Sequence, residues 1–348
     1  MYLPLISIII PVYNSGIFLR ECIQSVLDQT YTHWEAIFIN DGSSDISLSI
    51  LQEYAIHDRR IKVLEQTNKG VSAARNKGLR ASKGEYITFC DADDILLPEF
   101  LEKLYEKITL ANADWIFCNA FQFSKDKPLE IRLHFQDEII SISQFRPEFV
   151  CRFMQFEFDY ATWNKMYRST LIKQNKLSFN EKMSIWEDLL FNLQYLQFAN
   201  KTLLISKPLY QYRIHDGSLY SRDRVSFIPQ FNMLFNEYIM FIERYRGIYE
   251  LAVFKKEMFR ILYNQFIKDC ETYAKKNASN PFKMYFLHKK LLQSFSPGIM
   301  NCSDIKKVGW QPLKKWLLSK RMLGLFAFIG TLNILFKSCI INNNKKQN

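Results

Sequence analysis

The sequence predicts an α/β fold in which a doubly wound, mostly parallel sheet carries a C-terminal helical extension. Two observations in the first 120 residues support this: short apolar runs rich in β-branched residues recur, and helix-like segments separate them. Apolar strands joined by helices belong to a parallel sheet covered on both faces. A third observation points to function. Several of the runs empty into polar or acidic loops, and the C-terminal edge of an open α/β sheet is where ligands bind.

The first strand, Leu5–Ile10, leads through Pro11-Val12-Tyr13-Asn14 and Ser15-Gly16 into a helix over Ile17–Leu27. The second, Glu35–Ile39, ends in Asn40-Asp41-Gly42-Ser43-Ser44-Asp45, with a helix over Asp45–Ala55. In that loop Asp41 can accept from a nucleobase N–H, and Tyr13 offers a ring for stacking; an ordinary turn with a serine cap would read the same way. After the third strand, Ile61–Leu64, comes Asn68-Lys69-Gly70 and a helix over Val71–Ala81 that carries Arg75 one turn in. Gly70 permits close approach of a ligand to that helix start, and Arg75 can reach a phosphate. The glycine spacing is neither that of a P-loop nor that of a dinucleotide fingerprint.

The fourth strand, Tyr86–Phe89, empties into Asp91-Ala92-Asp93-Asp94 before a helix over Pro98–Leu110, and Asp114–Cys118 is the fifth strand. Crowded carboxylates repel one another unless a cation sits among them, and a divalent metal shared with a substrate phosphate suits hard oxygen ligands. An acidic loop that merely favours the next helix dipole is the alternative. Beyond residue 142 the chain is aromatic-rich and less regular, with Trp163-Asn164-Lys165 and Trp186-Glu187-Asp188 standing out. Pro208–Ser221 reads as a strand and polar loop containing His215, and 227–290 as helical with a core-facing stripe.

Composition narrows the class. With 48% hydrophobic and 23% charged residues, the 348-residue chain is globular. Of its net charge of +11, nine units fall after Ile305, where Lys and Arg occur without any Asp or Glu. The basicity is a tail property, so nucleic-acid binding loses its main support. Seven cysteines without a C-x-x-C pair argue for free thiols in a reducing compartment and against a zinc site or disulfide framework. The N-terminus lacks a basic n-region and cleavage site. Met322–Phe336 is uncharged between basic flanks and, at 15 residues, short of a span, which needs roughly 20. It fits a helix lying in the membrane interface; a buried terminal helix with a basic rim is the other reading.

Taken together, Pro11 to Asn14, Asp41 to Asp45, Gly70 to Asn76 and Asp91 to Asp94 resemble, in order and spacing, the family-2 glycosyltransferases over roughly residues 4–220. The resemblance implies a GT-A fold, a domain over 1–220 that is nucleotide-binding in 1–120 and acceptor-binding in 121–220; the residue patterns beyond it add a helical extension (221–304) and a membrane-interface tail (305–348). It implies donor contacts from Pro11, Tyr13, Asn14, Asp41, Arg75, Asp91, Ala92 and Asp93. Asp41 would hold the uracil, Arg75 the pyrophosphate side, and Asp93 and His215 a divalent metal, Mn²⁺ or Mg²⁺. Asp188 would be the base, with Glu187 beside it toward the acceptor; Trp163 and Trp186 can stack on an acceptor sugar, and a core position for either reads equally well.

The implied reaction is inverting transfer from a UDP-sugar to a glycan or lipid-linked acceptor in surface-polysaccharide synthesis, at the cytoplasmic face of the membrane. A sugar-phosphate nucleotidyltransferase is the nearest enzymatic alternative, although no lysine follows the first strand. A non-catalytic membrane scaffold is another, although its acids would be degraded.

Overall fold

The structure is a computed structural model that describes residues 3–125, 127–132, 135–141, 160–215 and 233–234. All of these lie in the compact unit Met1–Leu251. The expected helical extension (but for 233–234), the 305–348 tail and the segment 142–159 lie outside the described residues. Among the described residues no helix is long and apolar enough to cross a membrane.

The predicted strands form in order: β1 (Ile6–Val12), β2 (Trp34–Asp41), β3 (Ile61–Gln66), β4 (Tyr86–Phe89) and β6 (Trp115–Ser124). They alternate with α1 (Gly16–Leu27), α2 (Ser47–His57), α3 (Val71–Ala81) and α4 (Phe100–Leu110). The sheet runs β3-β2-β1-β4, all parallel. Every residue of β2 and almost every residue of β1 is buried, as strands covered on both faces must be. α3 lies close on β1 and β2 because Gly78 has no side chain; a Cβ there would stand 2.4 Å from Ile9 and 3.0 Å from Ile39.

The second half of the sheet departs from the purely parallel reading. β9 (Lys165–Arg168) inserts antiparallel between β4 and β6. The long β10 (Lys201–Arg213) then runs parallel to β6. Three further strands join antiparallel: β5 (Ile95–Leu96) and β8 (Glu138–Ser141) on β10, and β7 (Lys127–Ile131) on β6. The long ladders remain parallel. Within the stretch read as irregular, α5 (Ser169–Gln174) and α6 (Glu187–Leu196) form, and β9 is short with a buried lysine, which hid it. Phe179 and Phe191 stack at 4.2 Å and meet Phe89 edge-on, joining α6 to the sheet. Cys22, Cys90 and Cys118 are buried free thiols, as their apolar surroundings predicted.

Candidate functional site

The loops after β1 and β2 are zipped together at the C-terminal edge. Asn14, in the left-handed region at φ 50°, accepts from the Ser44 amide at 2.8 Å and donates its own amide to Ser43 Oγ at 3.0 Å. Asp45 accepts from the Gly16 amide at 2.9 Å, so an acid of one loop caps the helix of the other. Pro11 is half-buried, while Tyr13 is 42% exposed with its ring available at the rim.

Asp41 is buried and accepts three hydrogen bonds, each 2.8 Å: Gln66 Nε2 and the Lys69 amide on Oδ1, and the Gly70 amide on Oδ2. It holds the loop that starts α3. Gly42, at φ 70°, is required beneath that loop because a Cβ would meet the Asn68 amide at 2.8 Å. An acceptor position on Oδ2 is left over by these bonds, the one through which a base N–H can be met.

The acids after β4 divide into different environments. Asp93 Oδ2 lies 2.8 Å from His215 Nε2, and the imidazole packs on Phe18 at 4.7 Å. Asp91 Oδ1 accepts from Arg75 Nη2 at 3.2 Å while 31% of its side chain stays open. Burial, with Asp93 and Glu187 adding to it, raises the Asp91 pKa against the pull of Arg75. Ala92 is buried between them. Asp94 turns inward, accepting from Tyr210 Oη at 2.7 Å and the Arg213 amide at 2.7 Å. Burial, then the charges of Asp93 and Asp91, push its carboxyl well above the usual range. Tyr210 and Arg213 were not singled out from sequence; Arg213 Nε also donates to the Asp93 carbonyl at 2.7 Å.

On the facing side stands α6. Trp186, its N-cap, is buried and left-handed at φ 60°, a strained conformation for a bulky residue and of the kind that clusters at functional sites. Glu187 is 7% exposed and accepts from Arg75 Nη1 at 3.0 Å. Asp188 is half-buried. Burial works against the Arg75 charge, and the carboxylates of Asp91, Glu187 and Asp188 outweigh it and raise its pKa.

The structure gives several of these residues partners that the sequence did not announce. Arg75, expected at the pyrophosphate, donates from one terminal nitrogen to Asp91 and from the other to Glu187, with further N–H donors left over. Glu187, expected toward the acceptor, is locked inward on Arg75. Trp163 is 3% exposed and stacks on Tyr210 at 4.4 Å and Tyr212 at 5.6 Å, a core position with no ring face for a sugar. Trp186 likewise presents little surface. Aromatic residues in a core and on a sugar platform look alike in sequence, and ion pairs between distant segments leave no periodic trace.

The site suits a divalent cation. Three carboxylates, Asp91, Glu187 and Asp188, gather around one guanidinium, with Asp93 beside Asp91. Asp93 and His215 supply adjacent oxygen and nitrogen donors. Among the described residues no three His, Cys, Asp or Glu side chains form a full cage. That arrangement fits an ion which keeps positions for substrate oxygens, as Mg²⁺ does with one or two carboxylates and phosphates.

A mostly parallel open sheet with acids converging on its C-terminal edge is the architecture of a GT-A fold. The chain belongs to glycosyltransferase family 2: the model of the family described as Glycosyl transferase family 2 matches residues 7–176. Glycosyltransferase GlyG of Streptococcus pneumoniae is 33% identical over 62% of this chain and 72% of its own length. The putative glycosyltransferase EpsH of Bacillus subtilis is 34% identical over 64% of each, so this chain spans under two thirds of that relative. A cholesterol galactosyltransferase of Borreliella burgdorferi is 26% identical over 95% of this chain and 94% of its own. The crystal structure of S. aureus TarS 1-349 in complex with UDP-GlcNAc superposes with a TM-score of 0.68 at 20% identity, covering 84% of this chain and 82% of TarS 1-349, which is a likeness of fold.

Proposed function

We propose that this enzyme moves a hexosyl or N-acetylhexosaminyl group from a UDP-sugar to a hydroxyl of a glycan or lipid-linked acceptor, with inversion, in surface-polysaccharide synthesis. The observation that carries the reading is the pairing of two acid sets across one crevice: Asp91 and Asp93 on the sheet edge, Asp188 at the start of the facing helix. The UDP and UDP-GlcNAc complexes of TarS support a uridine nucleotide donor. The relative that acts on cholesterol, alike along 95% of this chain, supports an acceptor hydroxyl presented at a lipid surface. The tail 305–348 would keep the enzyme there, on the cytoplasmic face.

Tyr13 and Pro11 frame the base beside Asp41, and Asn14 fixes the loop that carries them. Asp93 and His215 would hold Mn²⁺ or Mg²⁺, which when bound neutralises charge on the departing diphosphate. Asp188 takes the acceptor hydroxyl's proton as that oxygen bonds the anomeric carbon. The bond from that carbon to the diphosphate oxygen breaks in the same event, and UDP leaves with the electron pair. Attack comes from the face opposite the leaving group, so a UDP-α-sugar gives a β-linkage. A positioned carboxylate in this role contributes about 10²–10⁴-fold.

The test is UDP release from a panel of UDP-sugars, with and without Mn²⁺ or Mg²⁺ and then with a chelator. Release from one donor that the chelator abolishes supports the proposal. Pyrophosphate release from a nucleoside triphosphate would instead make it a nucleotidyltransferase.

A further inference from the structure

We propose that Tyr210 is a positioning residue for the acid turn after β4: its hydroxyl links the Asp91 amide to the Asp94 carboxylate, and so sets where Asp91 and Asp93 present their oxygens to a divalent cation. The proposal rests on the reading of Asp93 and His215 as cation donors. Tyr210 lies in β10, 119 residues beyond Asp91, and is wholly buried. Its hydroxyl accepts from the Asp91 amide at 3.2 Å and donates to Asp94 Oδ2 at 2.7 Å. The two ends of one tight turn thus meet on a single oxygen atom. The turn itself closes through the Asp94 amide, which donates to the Asp91 carbonyl at 3.1 Å. A hydroxyl suits this place because it accepts and donates at once, which neither a carboxylate nor an ammonium group does.

The far end of the turn is held by Arg213, further along the same strand. Its amide donates to Asp94 Oδ1 and its Nε to the Asp93 carbonyl, each at 2.7 Å. Tyr210 holds the near end. Without the hydroxyl the Asp91 amide loses its partner, and Asp94, 1% exposed, keeps only the Arg213 amide. Buried polar groups left unpaired carry a desolvation cost that drives them to new partners, so the turn shifts about its Arg213 end and takes Asp91 and Asp93 with it. Mg²⁺ tolerates little departure from octahedral geometry, and removing an outer hydrogen bond to a ligating group costs about 10–100-fold in metal affinity. The ring is fixed independently of its hydroxyl. It stacks on Trp163 at 4.4 Å and meets Phe100 edge-on at 6.2 Å, and its backbone pairs with Leu96. Tyr210→Phe therefore keeps the packing and removes the link.

The test compares Tyr210→Phe and Phe100→Leu with the wild type in the full chain, at a temperature below the lowest of the three melting transitions. Mn²⁺ affinity in the presence of UDP is read by electron paramagnetic resonance, and UDP affinity without metal by calorimetry. Tyr210→Phe should weaken Mn²⁺ binding about 10–100-fold. Its metal-free UDP affinity should stay within about threefold, well inside the tenfold that 1.4 kcal/mol represents, because the loops after β1 and β2 are untouched. In transfer assays the loss should appear as a raised Mn²⁺ requirement that saturating metal overcomes. Phe100→Leu removes a neighbour of the same ring but leaves the hydroxyl, so it should lower the melting temperature while Mn²⁺ affinity holds. Wild-type Mn²⁺ affinity in folded Tyr210→Phe would overturn the proposal. An equal loss in Phe100→Leu would do the same, making the effect one of packing. A wild type that binds no Mn²⁺ beside UDP overturns this proposal and the metal reading together. A wild type that binds Mn²⁺ but transfers no sugar sinks the proposed function alone, and the Tyr210→Phe affinity still decides what the hydroxyl does.

Discussion

Asp41→Asn isolates what the carboxylate after β2 does, and its cost can be worked from the contacts. Asp41 Oδ1 takes Gln66 Nε2 and the Lys69 amide, and Oδ2 takes the Gly70 amide, all at 2.8 Å. Asparagine keeps one acceptor oxygen and replaces the other by an NH₂ donor. If the NH₂ replaces Oδ2, it faces the Gly70 N–H; if it replaces Oδ1, it faces the Lys69 N–H. Gln66 can flip to offer its own oxygen, but a backbone amide cannot. Either rotamer therefore leaves one part-buried amide opposed by a donor, which costs about 1–3 kcal/mol, and weakens the surviving bonds by removing the charge that assists them. The expected loss is about 2–3 kcal/mol, read as a lower urea midpoint at unchanged slope. Because the same loop begins α3 at Gly70, UDP affinity measured by calorimetry should fall at least about tenfold. An unchanged midpoint together with wild-type UDP affinity would show that Asp41 neither holds the loop nor meets the base.

Asp188→Asn should abolish sugar transfer, a loss of about 10²–10⁴-fold, while UDP affinity is kept; retained transfer in initial-rate assays would remove it as the base. Glu35 is buried and accepts from Ser7 Oγ at 2.6 Å, the Lys83 amide at 2.6 Å and Lys62 Nζ. Burial alone would raise its pKa, but Lys62, Ser7 and Lys83 together lower it below the ordinary value of 4.5. A depressed carboxylate stabilises the fold above its unfolded pKa, and that contribution is lost as pH falls through the folded one. Glu35→Gln should thus cost about 1.5–3 kcal/mol at neutral pH, a deficit that shrinks in melts run below pH about 4.5 and that a pH-independent difference would contradict. Removing residues 305–348 should release the protein from membranes with UDP release preserved; a truncated chain that still sediments with vesicles would place the anchor elsewhere.

The half of the fold legible in the sequence is the half whose strands are covered on both faces. β1 and β2 are mostly apolar because both of their faces are buried, and their polar loop residues stand out by contrast. β9 gave no such signal. Its first residue, Lys165, is wholly buried, with Nζ donating to Asn164 Oδ1 at 2.6 Å and to the Ala161 carbonyl, so a charged residue occupies a core position. The ion pairs of Arg75 stayed hidden for a related reason. A lone arginine near a phosphate-binding edge reads as a phosphate ligand, and nothing local reveals that its partner lies 112 residues further on.

The tetrapeptide Asp91-Ala92-Asp93-Asp94 shows why residue type alone stops short of role. Three chemically identical carboxylates separate because β10 passes beside them in a fixed register. Pairing of Tyr210 with Leu96 and Gln211 with Ile95 sets that register. It brings the Tyr210 hydroxyl and the Arg213 amide onto Asp94, and carries His215 two residues further to Asp93. Asp94 is thereby consumed in anchoring the strand that delivers the histidine. Asp91 is left to Arg75 and the open crevice, and Asp93 to His215. A slip of one residue would turn the side chains of β10 to the opposite face, withdrawing Tyr210 and His215 from the acids together. The division of labour in the cluster is thus written in the pairing of a strand more than a hundred residues downstream, and it becomes readable only once that strand is in place.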